Sequence, residues 1–155
     1  MFRPATVSLL LLILGTTPAR SLAGQSQAPA KAAVCSLLTK QEVRALLPWK
    51  QILDMEPEEE AIGATGSSCN YPSVMIQVLP PTSGIIEVAR KRGGLETLSG
   101  IGLEAYFYHN PNGYAEIYVK AAKHVVTVQA NVQDNLATVK PGAISLAKAL
   151  VGKLR

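Results

Sequence analysis

Residues 103–130 constrain the fold more than any other stretch of the chain. Three runs, "LEAYFYH", "YAEIYVK" and "HVVTVQA", alternate apolar and polar residues with a period of two. "NPNG" separates the first two, and a tight turn at Ala121 and Ala122 separates the second from the third. The spacing predicts a three-stranded antiparallel meander. With "NPNG" taken as a four-residue turn, Tyr106 pairs with Ile117 and Ile117 with Val126. That register puts Tyr106, Tyr108, Ala115, Ile117, Val119, Val126 and Val128 on one face. Phe107, His109, Tyr114, Glu116, Tyr118, Lys120, Thr127 and Gln129 share the other, which is amphiphilic and partly wet.

Val74, Ile76 and Val78 alternate in the same way and predict one further strand. Three segments read as helices. Thr39 and Glu42 stand at capping-box spacing, Leu38, Val43, Leu46 and Leu47 give an apolar stripe, and Pro48 stops the helix. "TSGIIEVARKRGG" is a weaker helix with basic residues in its last turn and glycines at its end. "PGAISLAKALVGKL" has Pro141 near a helix start and a broad apolar face suited to covering the sheet. Residues 49–67 show no period and read as irregular, with "EPEEE" as a solvated loop. The expected fold is α+β, with a four-stranded, mostly antiparallel sheet and helices packed on one face.

The N-terminus sets the expected compartment. Arg3 precedes the apolar run "VSLLLLIL", and "SLA" places small residues at a cleavage site, the layout of a secretory signal peptide over residues 1–23. The run is far short of the roughly 20 residues of a membrane span, so no stable anchor remains after cleavage. Residues 24–34 read as a flexible leader and 35–155 as a single domain. Removing Arg3 and Arg20 from the 15 Lys+Arg leaves 13 against 11 acids, a net charge of +2 that gives no electrostatic case for nucleic acid. The expected location is periplasmic or secreted.

The chemistry-bearing residues are few. Cys35 and Cys69 are the only cysteines, and in an oxidising compartment two thiols in a domain of this size favour a disulfide. A reactive Cys35 at a helix start, near Lys40, is the rival reading, and unpaired thiols are a third. His109 and His124 sit at opposite ends of the meander, on the order of 16 Å apart at about 3.3 Å per residue, and cannot share a metal. No zinc, calcium, phosphate-loop or dinucleotide motif is complete, and no nucleophile elbow occurs. The reading therefore assigns no catalytic residue, metal or cofactor. The exposed aromatics are the least bland feature. Phe107, His109, Tyr114, Glu116 and Tyr118 form a candidate binding surface; the alternative is that a further segment, such as residues 49–67, packs over it.

Four motifs carry a family likeness. They are "C-S-L-L-T-x-x-E-V" from Cys35, "S-C-x-Y" from Ser68, "G-I-G-x-E-A-Y" from Gly100 and "L-A-K-A-L" from Leu146. In these the chain resembles small exported or lipid-anchored bacterial proteins classed as domains of unknown function, including lipoproteins of actinobacteria. The resemblance implies a Cys35–Cys69 disulfide and a compact α+β domain, and it brings no catalytic residues. Gln25 follows "LAG" where lipoproteins carry the acylated cysteine. The functional expectation is a non-catalytic exported domain that binds a partner protein, an envelope component or a small apolar ligand. A thiol-dependent redox enzyme using Cys35 and a structural envelope protein are the alternatives.

Overall fold

In a computed structural model, which describes residues 33–49, 52–132 and 135–154, the chain forms a single seven-stranded antiparallel sheet. The signal peptide and most of the leader expected over residues 1–32 lie outside the described residues. The strands are β1 (Glu58–Ile62), β2 (Gly66–Tyr71), β3 (Val74–Leu79), β4 (Glu96–Leu98), β5 (Glu104–Asn110), β6 (Tyr114–Lys120) and β7 (Val125–Asn131). Their spatial order is β1-β2-β3-β7-β6-β5-β4. Two meanders, β1 to β3 and β4 to β7, therefore join where β3 pairs with β7. The helices are α1 (Lys40–Leu46), α2 (Ile85–Arg90) and α3 (Leu136–Lys153), with a 3₁₀ turn at Val34–Ser36.

This overturns the expected four-stranded sheet with helices on one face. The three additional strands carry no period-two signal. β1 is an acidic edge strand whose residues are nearly all exposed. β2 is "GSSCNY", built of small and polar residues that are buried because neighbours cover them on both sides. β4 is three residues long. α3 packs across β6 and β7 on one face and α1 packs on α3, whereas α2 packs against β6 from the opposite face.

The register of β5 is a second correction. Asn110 pairs with Tyr114, so the loop is the three residues Pro111, Asn112 and Gly113, with Gly113 at φ +86°. The Asn110 side-chain oxygen accepts the Asn112 N–H at 2.9 Å, which fixes the loop start. Tyr106 then pairs with Tyr118, and Phe107 with Ile117. Against the expected pairing this is a one-residue slip, and it turns every β5 side chain to the other face. Ile117 pairs with Val128 rather than Val126, a two-residue shift that leaves faces unchanged.

The main core lies between the sheet and α3. Ile76, Val126, Val128, Ile117 and Val119 meet Val139, Ala143, Leu146 and Leu150, all essentially inaccessible. α1 begins as its sequence predicts. The Thr39 side chain accepts the Glu42 N–H at 3.2 Å, and Glu42 accepts the Thr39 N–H at 2.7 Å. α3 starts at Leu136, ahead of Pro141, because Asn135 caps it by accepting the Thr138 N–H at 3.1 Å. Pro141 lies inside the helix, and the next residue, Gly142, abuts the end of α1. A Cβ there would stand 2.0 Å from the Leu46 carbonyl oxygen. The helix ends are also tied by Lys153 to Glu42 at 2.8 Å.

Cys35 and Cys69 form a disulfide with a Cα separation of 5.0 Å, and no free cysteine remains. The bridge holds the 3₁₀ turn on β2. Three hydrogen bonds reinforce it. The Val34 N–H and the Ser67 hydroxyl donate to Glu59 Oε1 at 3.2 and 3.3 Å, and the buried Tyr71 hydroxyl donates to the Leu38 carbonyl at 2.9 Å. The "EPEEE" stretch is thus no loop. It leads into an edge strand in which the Glu59 carboxylate accepts from the 3₁₀ turn. Val34, read as the end of the leader, is buried.

Candidate functional site

The sheet face opposite α3 is only partly covered, because α2 is short and spans one end of it. Antiparallel pairing aligns two polar rows across this face. One runs Tyr108, Glu116, Gln129, Met75 and Asn70, and the other Tyr106, Tyr118, Thr127, Gln77 and Ser68. Below the rows lies an open cleft of about 160 Å³ lined by Met75, Gln77, Arg92, Glu116, Thr127 and Gln129. A shallower depression of about 220 Å³ continues from it past Met75 and Gln129 towards Asn70 and Tyr114.

One wall of the cleft is a closed hydrogen-bonded cluster. The chain beyond α2 turns back, with the Arg92 N–H donating to the Ala89 carbonyl at 2.9 Å, and this aims Arg92 across the sheet. Arg92 Nη1 donates to Glu116 Oε2 at 2.8 Å and to the Tyr118 hydroxyl at 2.7 Å. The Tyr118 hydroxyl in turn donates to Glu116 Oε2, and Asn110 Nδ2 donates to Glu116 Oε1 at 2.6 Å. The guanidinium also lies over the rings of Tyr108 and Tyr118, 5.5 and 5.8 Å from their centroids. Glu116 is buried, and three donors with one full positive charge compensate its carboxylate.

Burial pushes the Tyr118 hydroxyl pKa well above the ordinary tyrosine value, and its bond to the negative Glu116 adds to the rise. Tyr118 therefore stays a neutral donor. Glu116 has both oxygens engaged by these three donors, so it anchors the wall. On the floor, Thr127 Oγ1 donates to Gln77 Oε1 at 3.0 Å. The Gln129 side-chain amide has no partner among the described residues, and it stands where the two depressions meet.

The five residues expected to form one surface are divided between two faces. Tyr114, Glu116 and Tyr118 line the open face. Phe107 is buried on the α3 side, with Lys140 Nζ 4.4 Å from its ring centroid, and His109 is exposed on that same side. The β5 slip separates them. In exchange, Tyr106 and Tyr108 join the open face. His124 lies in the β6–β7 turn, where its carbonyl accepts the Ala121 N–H at 2.8 Å. Among the described residues no group of three or more His, Cys, Asp or Glu could hold a metal ion. Cys69, in the disulfide, is fully buried.

Sequence reasoning placed Thr127 and Gln129 on this face by their alternation, but it missed Arg92, Gln77 and Met75 as site residues. The basic residues after Ala89 read only as the last turn of the second helix. Only the three-dimensional crossing of α2 over β6 brings Arg92, just beyond the helix, to Glu116. Among the described residues no helix is long and apolar enough to cross a membrane. No family model, curated protein or solved structure matches the chain.

Proposed function

We propose that the protein is a non-catalytic binding domain, exported to the periplasm or outside a bacterial cell, and that the open polar half of the sheet contacts a partner protein. The observation that carries this reading is the cleft itself. Its floor is uncharged and hydrogen-bonding, its wall is pre-organised, and the Gln129 amide is left unpartnered where a partner's backbone amide would sit. A rigid wall and an adaptable amide floor suit recognition of an extended polar segment. The disulfide suits an oxidising compartment. With both cysteines in the bridge and Cys69 buried, the geometry lends nothing to a thiol-dependent redox enzyme.

The test uses isotope-labelled, oxidised protein with fractionated envelope extract, read by amide and methyl resonances. The expected result is perturbation confined to Met75, Gln77, Thr127 and Gln129 by a protease-sensitive fraction. A Gln129→Arg, Tyr114→Ala variant should lose that response while keeping its native spectrum. Perturbation that is unchanged in the variant, or that maps to the α3 side, would overturn the assignment.

A further inference from the structure

A second concavity lies at the opposite end of β6, on the α3 side, with a different chemistry. It is a groove of about 320 Å³, a size within the range of small-molecule sites. Its walls are Leu103 before β5, Ala121 and Ala122 in the β6–β7 turn, and Val151 and Leu154 at the end of α3. Leu103 is 73% exposed, the most exposed large hydrophobic side chain among the described residues.

The main chain there is held against β6. The Leu103 N–H donates to the Lys120 carbonyl at 2.8 Å. Gly102, at φ +59°, lies so close to β6 that a Cβ would be 2.6 Å from the same oxygen. The facing turn is closed by the Ala121 N–H to the His124 carbonyl at 2.8 Å. Both walls are therefore held by backbone contacts, which fix the place of the Leu103 main chain beside the groove.

Among the described residues the groove carries one charge. Lys123 stands on its rim, exposed, with no ion-pair or hydrogen-bond partner among the described residues, and no acidic side chain lines the groove. We propose that this groove binds a small amphiphile with a linear alkyl chain and a single anionic head, the chain against Leu103, Val151 and Leu154 and the head at Lys123. The proposal is independent of the partner-protein reading, which concerns the other face of the sheet.

Titration of labelled, oxidised protein with hexanoate, octanoate and decanoate below their micelle concentrations tests it, with octylammonium and octanol as head-group controls. Saturating shifts are expected at residues 102–103, 121–123 and 151–154. Affinity should rise by up to about fourfold per added methylene until the groove is full. Lys123→Gln should weaken octanoate roughly two- to fivefold, the loss expected for an exposed ion pair, and Lys123→Glu should reverse the preference towards octylammonium. Leu103→Asp should abolish both. Each variant is accepted only if its spectrum outside the groove is native, and both positions are exposed. Octylammonium binding the native protein as tightly as octanoate would overturn the proposal, and so would shifts that do not saturate or that spread beyond the groove. Association with phosphatidylglycerol vesicles without binding of any free acid would also overturn it, since that would mark a membrane-surface patch.

Discussion

Gly142→Ala adds one methyl group at the point where α3 meets the end of α1. The new Cβ would stand 2.0 Å from the Leu46 carbonyl oxygen, 3.1 Å from the Leu46 carbonyl carbon and 3.0 Å from Leu47 Cδ2. Real Cβ contacts do not fall below 3.0 Å, so the helices must separate by about 1 Å. The obstacle is main chain and cannot rotate aside. Overpacking of this kind costs about 1–3 kcal/mol or somewhat more. Alanine's better helix propensity returns up to about 1 kcal/mol, and the 2.0 Å approach to the Leu46 carbonyl oxygen puts the steric cost at its upper end. A net loss of roughly 1–3 kcal/mol follows.

Gly152→Ala is the internal control, because it makes the same change in the same helix with nothing within 4 Å. It should gain about 0.5–1 kcal/mol from propensity alone. At about 4 °C per kcal/mol for a domain of this size, Gly142→Ala should melt about 4–12 °C lower and Gly152→Ala about 2–4 °C higher. Calorimetry or circular dichroism melts of the oxidised proteins read both shifts. If Gly142→Ala melts at or above the parent protein, the α1–α3 contact is compliant, and the argument that glycine sets their spacing is wrong.

Replacing Cys35 and Cys69 together with serine should cost about 4 kcal/mol on the chain-entropy model for a loop of this length, measured as the midpoint of denaturant unfolding. An unchanged midpoint would show that Glu59 and Tyr71 alone hold the 3₁₀ turn. Glu42 is held at about 2, below the ordinary 4.5, first by its hydrogen bond from Lys153 and then by the Thr39 N–H. Its contribution is therefore complete above pH 4.5 and is lost as pH falls towards 2, so Glu42→Gln should flatten the acid limb of a Tm-against-pH profile. Ser73 sits at φ +66° in the two-residue turn after Pro72, where Gly carries no Cβ penalty. Ser73→Gly should raise stability by roughly 0.5–1 kcal/mol and Ser73→Val should lower it, both read by thermal melts.

The sequence disclosed those elements whose side chains alternate between two environments. β3, β6 and β7 are central strands with one face on α3, and their alternation is plain. β1 lies at an edge with nearly every residue in water, and β2 is packed closely on both sides by small residues, so neither shows a period. The cue for β5 was present but depended on loop length. "NPNG" reads as four residues, yet Asn110 belongs to the strand and only three residues turn, and that one residue moved Phe107 and His109 off the candidate surface. Arg92 was legible as a helix-end cation. Its place in the Glu116–Tyr118 cluster depends on α2 crossing the sheet, which no local pattern encodes.

The Cys35–Cys69 bridge also determines how the domain carries mechanical load. Traction applied on the N-terminal side of Cys35 passes directly through the sulfur atoms into β2, and the chain between the two cysteines is shielded from it. Reduction would remove that shortcut. The 34-residue separation would then be free to extend by about 110 Å at roughly 3.3–3.6 Å per residue, and the acidic edge strand would peel before the rest of the sheet. With the bridge intact, the β2–β3 ladder takes the force at once. In a stretched molecule the disulfide thus shifts rupture from the weak margin of the sheet towards its interior.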